Sequence, residues 1–160
     1  MKVTAYNRTE AVNYARKWAL LRNPAYYDFQ NLGGDCTNFA SQSIFAGAKV
    51  MNSTKVTGWY YYSLSNRSAS WTGVEYLYDF LINNKLVGPY ARIVSGERAQ
   101  PGDIVQLADS SRDFYHSLVI TEITPKILVC AHTYDALNRP LASYTYYTAR
   151  FIHIEGVRKW

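Results

Sequence analysis

A change of hydrophobic period between the two halves of the chain constrains its fold more than any other feature. Val12, Ala15, Trp18 and Ala19 recur at helical intervals, as do Phe39, Ala40, Ile44, Phe45 and Ala48, and again Val74, Leu77, Tyr78 and Leu81. Beyond Pro101-Gly102 the pattern becomes short runs rich in β-branched and aromatic residues, at 103–107, 117–123, 127–131, 143–147 and 151–157. Helices first and strands afterwards predict an α+β fold with an antiparallel sheet.

Local punctuation sets the predicted limits. Asn7 and Glu10 stand at capping-box spacing, so a first helix is predicted from Arg8 to Leu21, stopping at Asn23-Pro24 because a residue before proline avoids the helical region. Gly33-Gly34-Asp35 leads into a second helix closed by Gly47 and the segment beyond it, which puts Cys36 at, or one residue from, a helix N-terminus. Thr72 and Glu75 repeat the capping-box spacing for a third helix that Asn83-Asn84 breaks. No repeat, low-complexity stretch or linker interrupts the chain, so residues 1–160 are expected to form one domain.

Composition excludes several classes. At 48% hydrophobic and 18% charged residues, the chain is neither a disordered tail nor a membrane protein, and no apolar run approaches the roughly 18 residues that span a bilayer. The start, Met1 to Arg8, lacks the apolar core of a signal peptide. The net charge of +5 favours anionic surroundings, but Lys and Arg are scattered and form no run, so the charge alone identifies no partner. No nucleic acid and no membrane insertion are expected, and the chain is expected to be a monomer.

The chemistry centres on Gly33-Gly34-Asp35-Cys36-Thr37-Asn38. A helix N-terminus with unpaired backbone N–H groups lowers a thiol's pKa and can also receive the charge of an oxyanion, while the two glycines leave room for a substrate. A thiol nucleophile needs a base, and His116 stands at the mouth of a predicted strand. The next strand runs into His132, which an antiparallel pairing would return beside His116 to fix its tautomer, with Asp135 a competitor for that role. Asp35 and Gln30 are further candidates for the oxyanion site. Cys130, flanked by apolar residues, and His153 read as core, and a disulfide between Cys36 and Cys130 is not expected. Trp59, Tyr60, Trp71 and Tyr115 are candidates to line a glycan or peptide groove.

These residues resemble the "putative amidase domain" family of Gram-positive bacteria, relatives of NlpC-type and CHAP cell-wall peptidases in the papain-like superfamily. The resemblance runs through Tyr6-Asn7-Arg8, the stretch Gly33 to Gln42 (GGDCTNFASQ), Trp59-Tyr60, Pro101-Gly102-Asp103 and His116-Ser117. It implies a papain-like fold, with the nucleophile-bearing helix packed on a C-terminal antiparallel sheet. It also implies a cysteine-dependent amidase or peptidase acting on peptidoglycan in the cell wall or outside the cell, with Cys36 and His116 matching nucleophile and base and His132 the third residue. No cofactor or metal is expected. Two rival readings remain open: a non-catalytic wall- or glycan-binding module, and a zinc-dependent amidase drawing on His116, His132, Asp135 and Cys36.

Overall fold

A computed structural model describes all residues, 1–160. The chain is α+β, with four helices and an antiparallel sheet, as the period change predicts. A short β1 (Lys2–Thr4) precedes α1 (Arg8–Trp18) and α2 (Cys36–Ala48). A small hairpin, β2 (Tyr61–Ser63) and β3 (Asn66–Arg67), leads to α3 (Ala69–Thr72) and α4 (Val74–Asn83). The sheet is completed by β4 (Gly88–Val94), β5 (Ile104–Ala108), β6 (Phe114–Glu122), β7 (Leu128–Ala131), β8 (Ala136–Pro140) and β9 (Thr148–Lys159).

Strand order is β1-β9-β5-β6-β7-β8, with β4 on the other edge of β9. Alternation sends Ile104, Val119, Cys130 and Ile152 into the large core beneath the helices. Leu107, Leu118, Ile120 and Val129 fall in a smaller core on the opposite face. The predicted core assignment of Cys130 agrees with its complete burial.

The central element is α2, buried along almost its whole length. Its polar residues therefore all find partners, Ser43 on the Phe39 carbonyl of the same helix and the others on different neighbours, because a buried polar group without a partner costs about 1–3 kcal/mol. Thr37 Oγ1 meets Ser117 Oγ of β6 (2.9 Å), Asn38 Oδ1 accepts from Trp71 Nε1 (2.9 Å), Ser41 Oγ accepts from Trp59 Nε1 (3.0 Å) and Gln42 Oε1 accepts from Tyr14 (2.5 Å). The polar signature is thus largely a set of pins.

The Pro101-Gly102-Asp103 turn plays a similar part. On one edge of β9, pairing with β5 ends at Ile152 and pairing with β1 begins at Val157, and the buried Asp103 carboxylate fills part of the gap between them. It accepts from Arg8 (2.7 Å), Gln100 N (2.8 Å) and Ile154 N (3.0 Å) and bonds His153 Nδ1 (2.8 Å). His153 is accordingly a satisfied structural histidine.

Several predicted boundaries move. The first helix ends at Trp18, where His132 Nε2 takes the Trp18 carbonyl. Gly47 lies inside α2 and admits the Tyr6 ring, since a Cβ there would sit 2.6 Å from Tyr6 Cε1; the helix closes at Lys49 in the left-handed conformation. The third predicted helix forms as α4, capped by extended Gly73 rather than by Thr72, and a short unpredicted helix, α3, precedes it. The strand predicted at 143–147 does not form: Leu141–Ser143 is a 3₁₀ turn and the following tyrosines, apart from Tyr144, stay exposed. Residues 88–94 and 136–140, too poor in alternation to be read as strands, are pulled into the sheet by β9 and β7.

Candidate active site

Cys36 is the first residue of α2 and is 8% exposed. The approach to it uses glycines in conformations other residues rarely take, Gly33 at φ +86° and Gly34 at φ +98°. Gly33 faces open space, whereas a Cβ on Gly34 would press on Thr133 Oγ1 at 3.2 Å. Burial pushes the thiol's pKa up, against the backbone N–H groups of Ser117 and Thr37 and the Thr37 hydroxyl, which pull it down. The lowered pKa expected of a cysteine at a helix start is therefore not what this site holds: desolvation outweighs the N–H groups.

The base candidate lies one residue from the Ser117 N–H. Along β6, Ser117 turns toward α2 while His116 leaves on the side of Leu118 and Ile120. Pairing of β6 with β7 ends at Val119 and Cys130, so neither Ser117 nor His116 has a β7 partner. No hydrogen bond joins His116 to Cys36 in this resting arrangement. His116 is 7% exposed, and its pKa falls to about 4, first by burial and then by the Arg139 charge. Imidazole and thiol are both neutral near pH 7.

A buried neutral His116 links stability to pH. Its folded pKa lies below the ordinary value near 6.5, so the stability it confers is complete above that value and is lost as pH falls through about 4, in all about 3 kcal/mol. His116→Gln is expected to remove that much of the difference between urea unfolding at pH 7 and pH 4. An unchanged difference would mean that other groups carry it.

His132 does something other than expected. Both ring nitrogens are occupied, Nδ1 by Asp35 Oδ2 (2.5 Å) and Nε2 by Trp18 O (2.7 Å), and the ring stacks on Phe39 with centroids 4.1 Å apart. A carbonyl only accepts, so Nε2 carries hydrogen, and Nδ1 is held by Asp35 Oδ2. His132 therefore has no nitrogen left to orient His116. Asp35, fully buried, also accepts from Phe29 N (2.8 Å) and Asn38 Nδ2 (2.9 Å), while its own N–H donates to Thr133 Oγ1 (2.9 Å). Its carboxylate is spent on fixing the loop before Cys36 rather than on an oxyanion. The other two candidates are also engaged: Asp135 forms a double bond pair with Arg22 (2.9 Å each) and Gln30 accepts from the same guanidinium (3.4 Å).

The aromatic candidates divide. Trp59 and Trp71 are fully buried, 4.7 Å apart at their centroids, and hold α2 in place. They are core, where truncation to alanine costs about 3–5 kcal/mol. Tyr60 is half-buried and Tyr115 is 47% exposed, so these two keep surface that a ligand can reach.

Sequence reasoning missed three participants. Thr133, at φ +55° in the turn after His132, receives the Asp35 N–H, and a β-branched residue in that conformation is a strain the surrounding contacts must hold. Tyr144 lies 6.2 Å from the His116 ring, centroid to centroid, and its buried hydroxyl has no hydrogen-bond partner. Arg139 stacks 3.9 Å over Tyr144. Their signal is absent from local sequence because a sheet and a turn assemble them. The residues of the zinc reading are dispersed, with His132 on Asp35 and Asp135 on Arg22, and no cluster of three potential ligands forms.

A mixed α+β domain with a cysteine opening its buried central helix against an antiparallel sheet defines the architecture. The chain belongs to the family described as "Putative amidase domain", whose model matches residues 5–155. It is similar to the "Uncharacterized protein YhbB" of Bacillus subtilis (strain 168), with 34% identity over 139 residues. That match covers 84% of this chain and 43% of the relative, so the chain spans less than half of the relative's length. No solved structure matches.

Proposed function

We propose that the chain is a papain-like cysteine hydrolase that cuts an amide bond of peptidoglycan. The observation that carries this reading is the juxtaposition at the start of α2: a cysteine with open Gly33 before it and the Ser117 N–H beside it, one residue from His116. In the reaction, the His116 ring turns toward Sγ and takes the thiol proton as sulfur attacks the carbonyl carbon. Backbone N–H groups at the helix start receive the oxyanion. His116 returns the proton to the leaving nitrogen as the C–N bond breaks. Water, deprotonated by the same imidazole, then hydrolyses the thioester to a carboxylic acid and the free thiol.

Tyr144 takes the orienting role in this scheme, its partnerless oxygen accepting the other imidazole N–H. Tyr144→Phe is expected to lower kcat about tenfold with KM unchanged, as loss of one orienting bond worth about 1.4 kcal/mol. A KM change alone would assign Tyr144 to substrate binding instead. The low pKa of His116 sets the acid limb of kcat/KM near pH 4 rather than near 6.5, and a pH profile checks it.

The substrate and bond are tested by incubating the protein with purified peptidoglycan and sequencing released fragments by mass spectrometry. Soluble fragments with one new amine and one new carboxyl end support the reading and name the bond. Co-sedimentation with the wall, unaffected by iodoacetamide and without fragment release, would support a binding module.

A further inference from the structure

A concavity lies away from Cys36, between the 52–58 turn and the C-terminal half of α4. It encloses about 520 Å³, a volume in the range of small-ligand sites. Val56, Phe80 and Leu86 supply an apolar wall, and Tyr76, Asp79 and Lys85 stand at its margin.

Three features distinguish it from an ordinary surface dip. The turn is rigid and strained: Val56, a β-branched residue, is held at φ +70° while 88% exposed. Bonds from Thr57 N to Lys55 O (2.8 Å) and Gly58 N to Thr54 O (2.8 Å) pin it, and Asn52 Oδ1 accepts the Thr54 N–H (3.0 Å). Strain of this kind costs about 1–3 kcal/mol and persists where surrounding structure enforces it, often beside ligand sites. Second, Tyr76 leaves 62% of itself exposed against the cavity, and its hydroxyl makes no bond within the chain. Third, Asp79 and Lys85 carry opposite charges on one rim, yet neither side chain forms an ion pair or hydrogen bond with the protein. Charges that could neutralise one another are left available to a ligand.

We propose that this cavity binds a short peptide carrying a free ammonium and a free carboxylate. Asp79 takes the ammonium, Lys85 the carboxylate, and Val56, Phe80 and Leu86 an aliphatic side chain between them. A saccharide fits less well, because Val56, Phe80 and Leu86 offer it an apolar wall and two of the free polar groups, Asp79 and Lys85, are charged. The proposal is independent of catalysis at Cys36.

The test uses the full chain carrying Cys36→Ala, so that nothing is turned over, followed by amide NMR during titration with the tripeptide Ala-Leu-Ala. Saturable shifts at Val56, Thr57, Gly58 and Leu86 are expected. The acetylated, amidated tripeptide should bind about tenfold or more weakly, as should Ala-Leu-Ala to an Asp79→Asn, Lys85→Gln double variant whose spectrum shows an intact fold. Equal binding of the blocked peptide, shifts with chitotriose and none with peptide, or no saturable shift at about 10 mM peptide would overturn the proposal.

Discussion

Replacing Cys36 by alanine is expected to reduce amide hydrolysis by about 10⁴-fold or more while leaving the fold in place. The magnitude follows from the covalent route: without sulfur there is no thioester, and the remaining oxyanion donors and binding contacts give only residual rate. The fold survives because Cys36 contributes little besides the thiol. Its Sγ meets only the Thr37 hydroxyl (3.7 Å) and the backbone N–H groups of Thr37 and Ser117, and the α2 start is fixed by its neighbours. Fragment release and thermal unfolding of the same preparation check both halves. Full activity in a folded Cys36→Ala protein would remove cysteine chemistry from the account.

Asp35→Ala should do the opposite, unfolding or loosening the site before chemistry is reached. The carboxylate unites the Phe29 backbone, Asn38 and His132, and its loss leaves the buried His132 Nδ1 without a partner. Leaving one member of a buried hydrogen-bonded pair without its partner costs about 1–3 kcal/mol, a sizeable share of a domain's total stability of about 5–15 kcal/mol. Urea unfolding of Asp35→Ala and His132→Ala should give losses of that order that are not additive in the double variant, because both remove the same pair. Additive losses would show that the two residues act separately.

The fold class and the place of Cys36 were legible because both rest on local pattern: apolar spacing, a Gly-Gly entry and the capping of α1 by Asn7. What local pattern could not reveal was the partner of each buried polar group. His116 lies on β6 and His132 directly follows the neighbouring β7, so pairing them was reasonable from sequence order. The fold instead brings Asp35 and the end of α1 to His132, which are distant in the chain and claim both of its nitrogens. Trp59 and Trp71 look like groove aromatics by composition alone; only the buried donors and acceptors of α2 reveal them as its supports. Tyr144 sat in a segment read as a strand, and the 3₁₀ turn at Leu141–Ser143 is what carries it to His116.

The central claim is that Cys36 forms a covalent bond to the substrate's acyl group. Intact-mass spectrometry of the protein, quenched in acid while it digests peptidoglycan, tests this most directly, since a thioester survives acid. The account predicts an adduct equal in mass to an acyl fragment of the substrate, mapped to Cys36 and absent from Cys36→Ala. Fragment release continuing with no adduct on Cys36, and persisting in Cys36→Ala, would contradict it.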